Sequence, residues 1–154
     1  VASGGVTIPG NEQLSRAEAE TRAIAIFSPY HAAIRGALEQ REQYILVTVH
    51  SFTPELHGVK RPMHAGVLYE RDARLATSLL ALLREEPELS VGDNEPYAAS
   101  VETDYAIIEY GERRGVPYVE LEVRQDLLTD EAGQALWASR LARLLRIASG
   151  PFRF

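Results

Sequence analysis

Four side chains stand out because they are polar groups set among apolar ones: His50, Glu120, Glu122 and Arg124. His50 closes Tyr44-Ile45-Leu46-Val47-Thr48-Val49 and opens His50-Ser51-Phe52-Thr53-Pro54. Open α/β sheets bind ligands beyond the carboxyl ends of their strands. A histidine there is either a metal ligand or catalyst, or a hydrogen-bonded structural imidazole. The second site of interest is Glu120-Leu121-Glu122-Val123-Arg124. Alternate residues of a strand share a face, so Glu120, Glu122 and Arg124 project together, opposite Val119, Leu121 and Val123. One reading is an edge strand with a solvated charged face. The other is a carboxylate placed as a general base, with Arg124 alongside to keep it ionised.

Other candidates are less constrained. Arg61 follows His50 in a loop and suits bidentate pairing with a substrate carboxylate, or ordering of that loop. His64 suits a substrate or ligand-shell hydrogen bond, or a contact to backbone. Asn94 and Tyr97 sit in a long connection and are candidate pocket residues. Arg113 and Arg114 fall at a predicted helix C-terminus, where cations are favourable in any case, and Arg114 is carried as a substrate-binding candidate. Arg124 is read as a partner of Glu122 and, secondarily, as a substrate ligand. His57 adjoins Gly58 in a loop. His31 is expected on a solvated helix surface, and Arg140, Arg143 and Arg146 as a solvated stripe.

The elements that must position these groups follow from pattern. Ser15 and Glu18 form a capping box, so a helix is predicted to start there and to be perturbed at Pro29. The run Tyr44–His50 is apolar on both faces and predicts an interior strand covered by helices. Ser51–Met63 is a predicted loop and Ala65–Tyr69 a short strand. Asp72 is placed to cap a helix reaching about Glu86, with Leu75, Leu79, Leu82 and Leu83 inward. Val91–Tyr97 reads as a loop within a long connection, Glu88 to Thr103, of the kind that often carries function. A helix is expected from about Thr103 to Gly115, and a third strand over Val119–Arg124. Thr129 or Asp130 then caps a last helix carrying Leu136, Trp137, Leu141, Leu144 and Leu145. Strands alternating with helices predict one layered α/β/α domain over residues 1–154.

Composition limits the chemistry. The 154 residues carry 22 acidic against 16 basic side chains, a net charge of −6. That disfavours nucleic acid as a partner. There are no cysteines, so a metal here must use His and carboxylate ligands. No apolar run approaches the ~18 residues of a membrane span. No signal peptide is visible, and the chain is read as cytoplasmic.

Two short motifs resemble zinc carboxypeptidases. His50-Ser51-Phe52-Thr53-Pro54 resembles their zinc-ligand His-Ser-Tyr-Ser segment, and Glu122-Val123-Arg124 their Glu-Leu-Arg, in the same order along the chain. The wider resemblance is to N-formylglutamate amidohydrolases. It rests on HSFTPELHGVKRPMHAGVLY from His50 to Tyr69, VGDNEPY from Val91 to Tyr97 and ERRGVPYVELEVRQDLL from Glu112 to Leu128. Thr7-Ile8-Pro9-Gly10-Asn11 and Pro29-Tyr30-His31 also fit, while Met63 stands where relatives often have Trp.

This resemblance implies a carboxypeptidase- or phosphorylase/hydrolase-like fold with a mostly parallel or mixed central sheet. It implies zinc, with His50 as a ligand and Glu122 as the base, and hydrolysis of N-formylglutamate to formate and glutamate, a reaction of histidine degradation. A zinc of this kind uses about three protein ligands. His50 is the one ligand read from this sequence, so the others are expected upstream of Val1, together with the first strands of the sheet. The chain by itself is then expected to be inactive and to bind zinc weakly. The uncovered strand edge is expected to be covered by that segment or by a second copy. The rival reading is a non-catalytic remnant that binds a carboxylate ligand or a protein partner without metal.

Overall fold

The computed structural model describes residues 2–3 and 6–152, with side chains from residue 8 onward. The chain divides into two compact units, Val1–Tyr44 and Ile45–Phe154.

In the first unit, β1 (Ala2–Ser3) pairs antiparallel with β2 (Val6–Thr7). Gly4 and Gly5 lie outside the described residues. Helix α1 (Arg16–Arg22) starts as predicted. Ser15 Oγ accepts from the Glu18 amide at 3.3 Å, and Glu18 Oε2 accepts from the Ser15 amide at 2.9 Å. Residues Ala23–Phe27 form a π turn leading into α2 (Ser28–Glu39), and the Ser28 amide reaches back to the Ala23 carbonyl. Pro29 has no N–H to offer the preceding turn, and a π turn is one way a helix absorbs that loss. His31, expected in solvent, is 6% exposed. Its ring lies 4.1 Å from that of Phe27 and 5.0 Å from that of Tyr30, measured between centroids.

The second unit is a three-layer α/β/α structure. Its sheet comprises β3 (Leu46–Phe52), β6 (Ala65–Leu68), β7 (Val91–Asp93) and β8 (Tyr118–Arg124), in the order β3-β8-β6-β7. The small hairpin β4 (Glu55–Leu56) and β5 (Val59–Lys60) stands apart from it. Strand β8 runs parallel to β3 and antiparallel to β6, and β6 runs parallel to β7. The sheet is therefore mixed.

Alternation along β8 sends Val119, Leu121 and Val123 to one face. There they pack with Leu75, Leu79 and Leu83 of α3 (Arg74–Arg84) and Trp137, Leu141 and Leu144 of α5 (Glu131–Ala148). Tyr118 faces the other way, onto Ile107 and Ile108 of α4 (Tyr105–Tyr110). Asp130 caps α5 as expected, its Oδ1 accepting from the Gly133 amide at 2.7 Å. Gly115, at φ 65°, ends the turn after α4 in the left-handed conformation.

Several expectations are corrected. The strand predicted at Tyr44–His50 lies at Leu46–Phe52 and is an edge strand among the described residues, with Val49 60% exposed. The interior place belongs to β8, whose charged face is accordingly buried and not solvated. The stretch Val91–Tyr97 is not all loop, because Val91–Asp93 pairs with β6. Ser51–Met63 contains the β4–β5 hairpin, with His57 (φ 51°) and Gly58 (φ 78°) as its two turn residues, the signature of a type I′ turn. Leu136 is 56% exposed and does not face the core. Arg140 is not solvated. It stacks 4.9 Å from the Trp137 ring and pairs with Glu86 at 2.5 Å and Glu88 at 2.6 Å, while Arg143 also pairs with Glu86. Burial alone would push the Glu86 carboxyl up, but the two guanidiniums outweigh it and hold it below its ordinary range.

Candidate active site

The site is built by the register of β3 on β8. Thr48 lies beside Glu120, and His50 beside Glu122. Parallel neighbours in register share a face, so four polar side chains meet on the side of the sheet that carries α4. They are brought together by strands far apart in sequence. Here His50 is 54% exposed at its side chain, whereas Glu120 and Glu122 are 4% and 2% exposed.

The two carboxylates have different partners. Glu120 Oε2 accepts the Thr48 hydroxyl at 3.0 Å and lies 3.9 Å from His50 Nε2. Glu122 Oε1 accepts the Tyr97 hydroxyl, and its Oε2 is buried with no hydrogen-bond partner. Burial raises both carboxyls above their ordinary range. It outweighs the lowering effect of His50 and Thr48 on Glu120, and of Tyr97 and His50 on Glu122. Tyr97 is in turn pushed upward, first by burial and then by its bond to Glu122.

One donor atom from each of His50, Glu120 and Glu122 falls within 4.8 Å of the others. Nitrogen and oxygen donors of this kind suit zinc and other divalent cations. A buried carboxylate oxygen without a partner is the atom that such an ion, or a water it holds, would satisfy. The residues present therefore fit a metal. The donors open onto a cleft of about 490 Å³, also lined by Tyr97, Ala98, Ser100, Thr103 and Asp104.

Two glycines place Tyr97. Gly66 lies opposite Glu122 across the β6–β8 ladder. A side chain there would overlap the Glu95 carbonyl, and at Gly92 a Cβ would come within 2.7 Å of Glu95 Cβ. The turn Asn94–Tyr97 thus rests directly on the sheet. Asn94, at φ 51°, pins it: its amide donates to the Val67 carbonyl at 2.9 Å, and its Oδ1 accepts from the Tyr69 amide at 2.9 Å.

The remaining candidates lie outside the cleft lining. Arg61 lines a neighbouring pocket of about 500 Å³ with Lys60, Met63, Glu95 and Pro96. It reaches Thr53 Oγ1 at 3.3 Å and lies 5.8 Å from the Phe52 ring. His64 Nδ1 accepts from the Ser90 amide at 2.8 Å. Arg124 does not pair with Glu122. It binds Asp126 at 2.7 Å and donates to the carbonyls of Arg61, Pro62 and Met63 at 3.1–3.3 Å. Arg114 lies 5.6 Å from the Tyr110 ring, and Arg113 pairs with Glu109 at 2.6 Å.

Glu120 and Thr48 were not singled out as site residues. The one signal for Glu120 was its two-residue spacing from Glu122, and Thr48 gave none.

The chain is thus an α/β protein of layered architecture that gathers a histidine and two buried carboxylates at one cleft. The model of the N-formylglutamate amidohydrolase family matches residues 1–129, and the chain belongs to that family. Among solved structures it is similar to gene product Atu2144 from Agrobacterium tumefaciens. The TM-score is 0.89 at 32% identity, over 97% of this chain and 61% of that one. It is also similar in fold to an N-formylglutamate amidohydrolase from Ralstonia eutropha JMP134. There the TM-score is 0.64 at 21% identity, over 90% of this chain and 56% of that one. The chain thus spans 61% and 56% of the lengths of these two structures. No curated protein matches it. Among the described residues no helix is long and apolar enough to cross a membrane.

Proposed function

We propose that the protein is a metal-dependent amidohydrolase that cleaves N-formylglutamate, or a closely related N-acyl amino acid, to formate and the free amino acid. Family membership supports the reaction class. The observation that carries the mechanism is the free, buried Oε2 of Glu122 beside His50. His50 is the imidazole ligand, and the favoured metal is zinc. Bound there, zinc supplies Lewis acidity, which polarises an amide carbonyl and brings the pKa of water towards 7.

This chain's residues do the rest. Glu122 Oε2 accepts the proton of the attacking water and returns it to the departing nitrogen. Its raised affinity for protons, caused by burial, suits an atom that must hold one in mid-reaction. Tyr97 anchors the other oxygen and so fixes which lone pair points into the cleft. Among the described residues the cleft lining contains Asp104, Glu120 and Glu122 and no lysine or arginine. Recognition of a substrate carboxylate is therefore assigned to Arg61, in the adjoining pocket.

Glu122→Gln in the full-length protein tests this reading. Gln keeps the shape and removes the proton acceptor. Formate release should fall by about 100-fold or more, with zinc content unchanged. Turnover near that of the parent would exclude Glu122 as the base, and loss of zinc would make it a ligand instead.

A further inference from the structure

We infer that Arg124 is a positioning residue for substrate binding, clamping residues 61–63 so that Arg61 meets the substrate carboxylate. This rests on the assignment of that carboxylate to Arg61 in the reading above. Arg124 ends β8, two residues beyond Glu122, and its side chain is 16% exposed. Its guanidinium is used on two edges. Nε and Nη2 donate to the two Asp126 oxygens at 2.7 and 3.1 Å, a bidentate pair. Nη1 donates to three successive carbonyls, those of Arg61 at 3.3 Å, Pro62 at 3.1 Å and Met63 at 3.3 Å. These three residues also line the pocket of about 500 Å³ to which substrate recognition is assigned. One cation therefore holds the backbone of the pocket's own wall.

Three carbonyl dipoles that converge on one point repel one another, and a cation at that point removes the repulsion. Backbone bonds tie the segment at its ends. The Arg61 amide donates to the Pro54 carbonyl at 2.8 Å, and the Arg124 amide to the His64 carbonyl at 2.9 Å. Pro62, between them, has no N–H to contribute. The path from Arg61 to Met63 is therefore set by the group its carbonyls accept from, which is Arg124. A guanidinium has donors for both edges at once, whereas a lysine ammonium brings the same charge as a single point. The pocket borders the cleft through residues 95–98, since Glu95 and Pro96 line the pocket and Tyr97 and Ala98 line the cleft. Burial raises the Glu122 carboxyl, and Arg61 is among the groups whose charge opposes that, so its guanidinium lies within electrostatic reach of the base. The course of residues 61–63 thus sets where a carboxylate held by Arg61 places the rest of the substrate.

The test uses Arg124→Lys, Asp126→Asn, Arg61→Ala and the double variant Arg124→Lys with Arg61→Ala, all in the full-length holoenzyme. Formate release from N-formylglutamate gives kcat and KM, and calorimetry gives the affinity for glutamate. Lys keeps the charge and loses the fork, so a change reports geometry and not field. Arg124→Lys should raise KM and weaken glutamate binding about tenfold, with kcat within about twofold of the parent's. Asp126→Asn loosens the same clamp from its other edge and should shift both by about threefold. In the Arg61→Ala background Arg124→Lys should add less than about twofold, because a residue that acts through Arg61 has nothing left to position. Parental KM and glutamate affinity in a folded Arg124→Lys would overturn the inference. So would an undiminished effect in the Arg61→Ala background, since Arg124 would then act independently of Arg61. A fall in kcat at constant KM would also overturn it, by making Arg124 a partner of the base. Should Arg124→Lys not fold, Asp126→Asn decides, and parental KM there overturns the clamp. Arg61→Ala with parental KM sinks the assignment of the carboxylate to Arg61 and this inference with it. A raised KM in Arg61→Ala beside a parental one in Arg124→Lys sinks this inference alone.

Discussion

Tyr97 and Glu122 show how one contact divides a carboxylate into a held oxygen and a free one. Hydrogen bonds to charged groups contribute about 1.5–3 kcal/mol. Tyr97→Phe removes the donor and keeps the ring, so Glu122 can rotate away from the cleft. The expected outcome is a drop in kcat of about tenfold with KM and zinc content near those of the parent, measured by steady-state formate release. A rise in KM at constant kcat would instead make Tyr97 a substrate contact, which is the role its loop position first suggested. At this scale the sequence was partly readable. His50 and Glu122 each follow an apolar run in a recognisable motif. That Thr48 and Glu120 join His50 and Glu122 at one cleft was hidden, because it depends on the register of strands whose paired residues lie 72 positions apart. Arg124 was misread for the same reason: nothing local announces that residues 61–63 present three carbonyls to it.

Among the elements, the turn at Asn94–Tyr97 is the part most exposed to small changes. It was legible as a loop with a functional flavour, since Gly92, Asn94 and Pro96 break any regular pattern. Its seat was not legible, because Gly66 lies in another strand and looked like an ordinary member of Ala65–Leu68. Gly66→Ala places a methyl group against the Glu95 backbone, which has no flexible end to move. Overpacking of this kind costs about 1–3 kcal/mol. The turn should lift, taking Tyr97 off Glu122. Thermal melts should show the lost stability, and turnover should fall at least as far as in Tyr97→Phe. A stable variant with parental turnover would show that the turn does not need its glycine seat. Periodicity placed α3 and α5, and Asp130 caps α5 as expected, but Asp72 does not cap α3, whose N-cap is Ala73, and instead pairs with Arg74; the Arg140 stripe was also misplaced. Charge periodicity alone does not reveal that Glu86 and Glu88 wait on the neighbouring segment.

For the whole molecule, the alternation of strands and helices gave the three layers, while the order of strands had to come from pairing. Tyr44–His50 looked interior because it is apolar on both faces, yet β8, with its charged face, took the centre. That exchange buries two carboxylates, and it has a consequence for stability. Burial raises the carboxyls of Glu120 and Glu122 above the ordinary 4.5. Below the unfolded value both states are protonated, and these groups contribute nothing to the pH dependence. As pH rises past 4.5 the unfolded chain ionises first, so it binds fewer protons than the folded one and stability falls. The fall continues until the folded carboxyls also ionise, and the deficit is constant above that. In metal-free protein, Glu122→Gln should therefore melt a few degrees higher than the parent at neutral pH, on the order expected for ~1 kcal/mol. The gap should shrink as pH is lowered towards 4.5. Zinc, which on this reading binds parent and variant alike, should raise both melts and leave their order unchanged. Calorimetric melts across pH, with and without zinc, measure all three. A metal-free parent that is more stable than Glu122→Gln at neutral pH would mean that the buried carboxylate is satisfied by groups other than Tyr97. It would then no longer be an unpartnered base held ready for a proton.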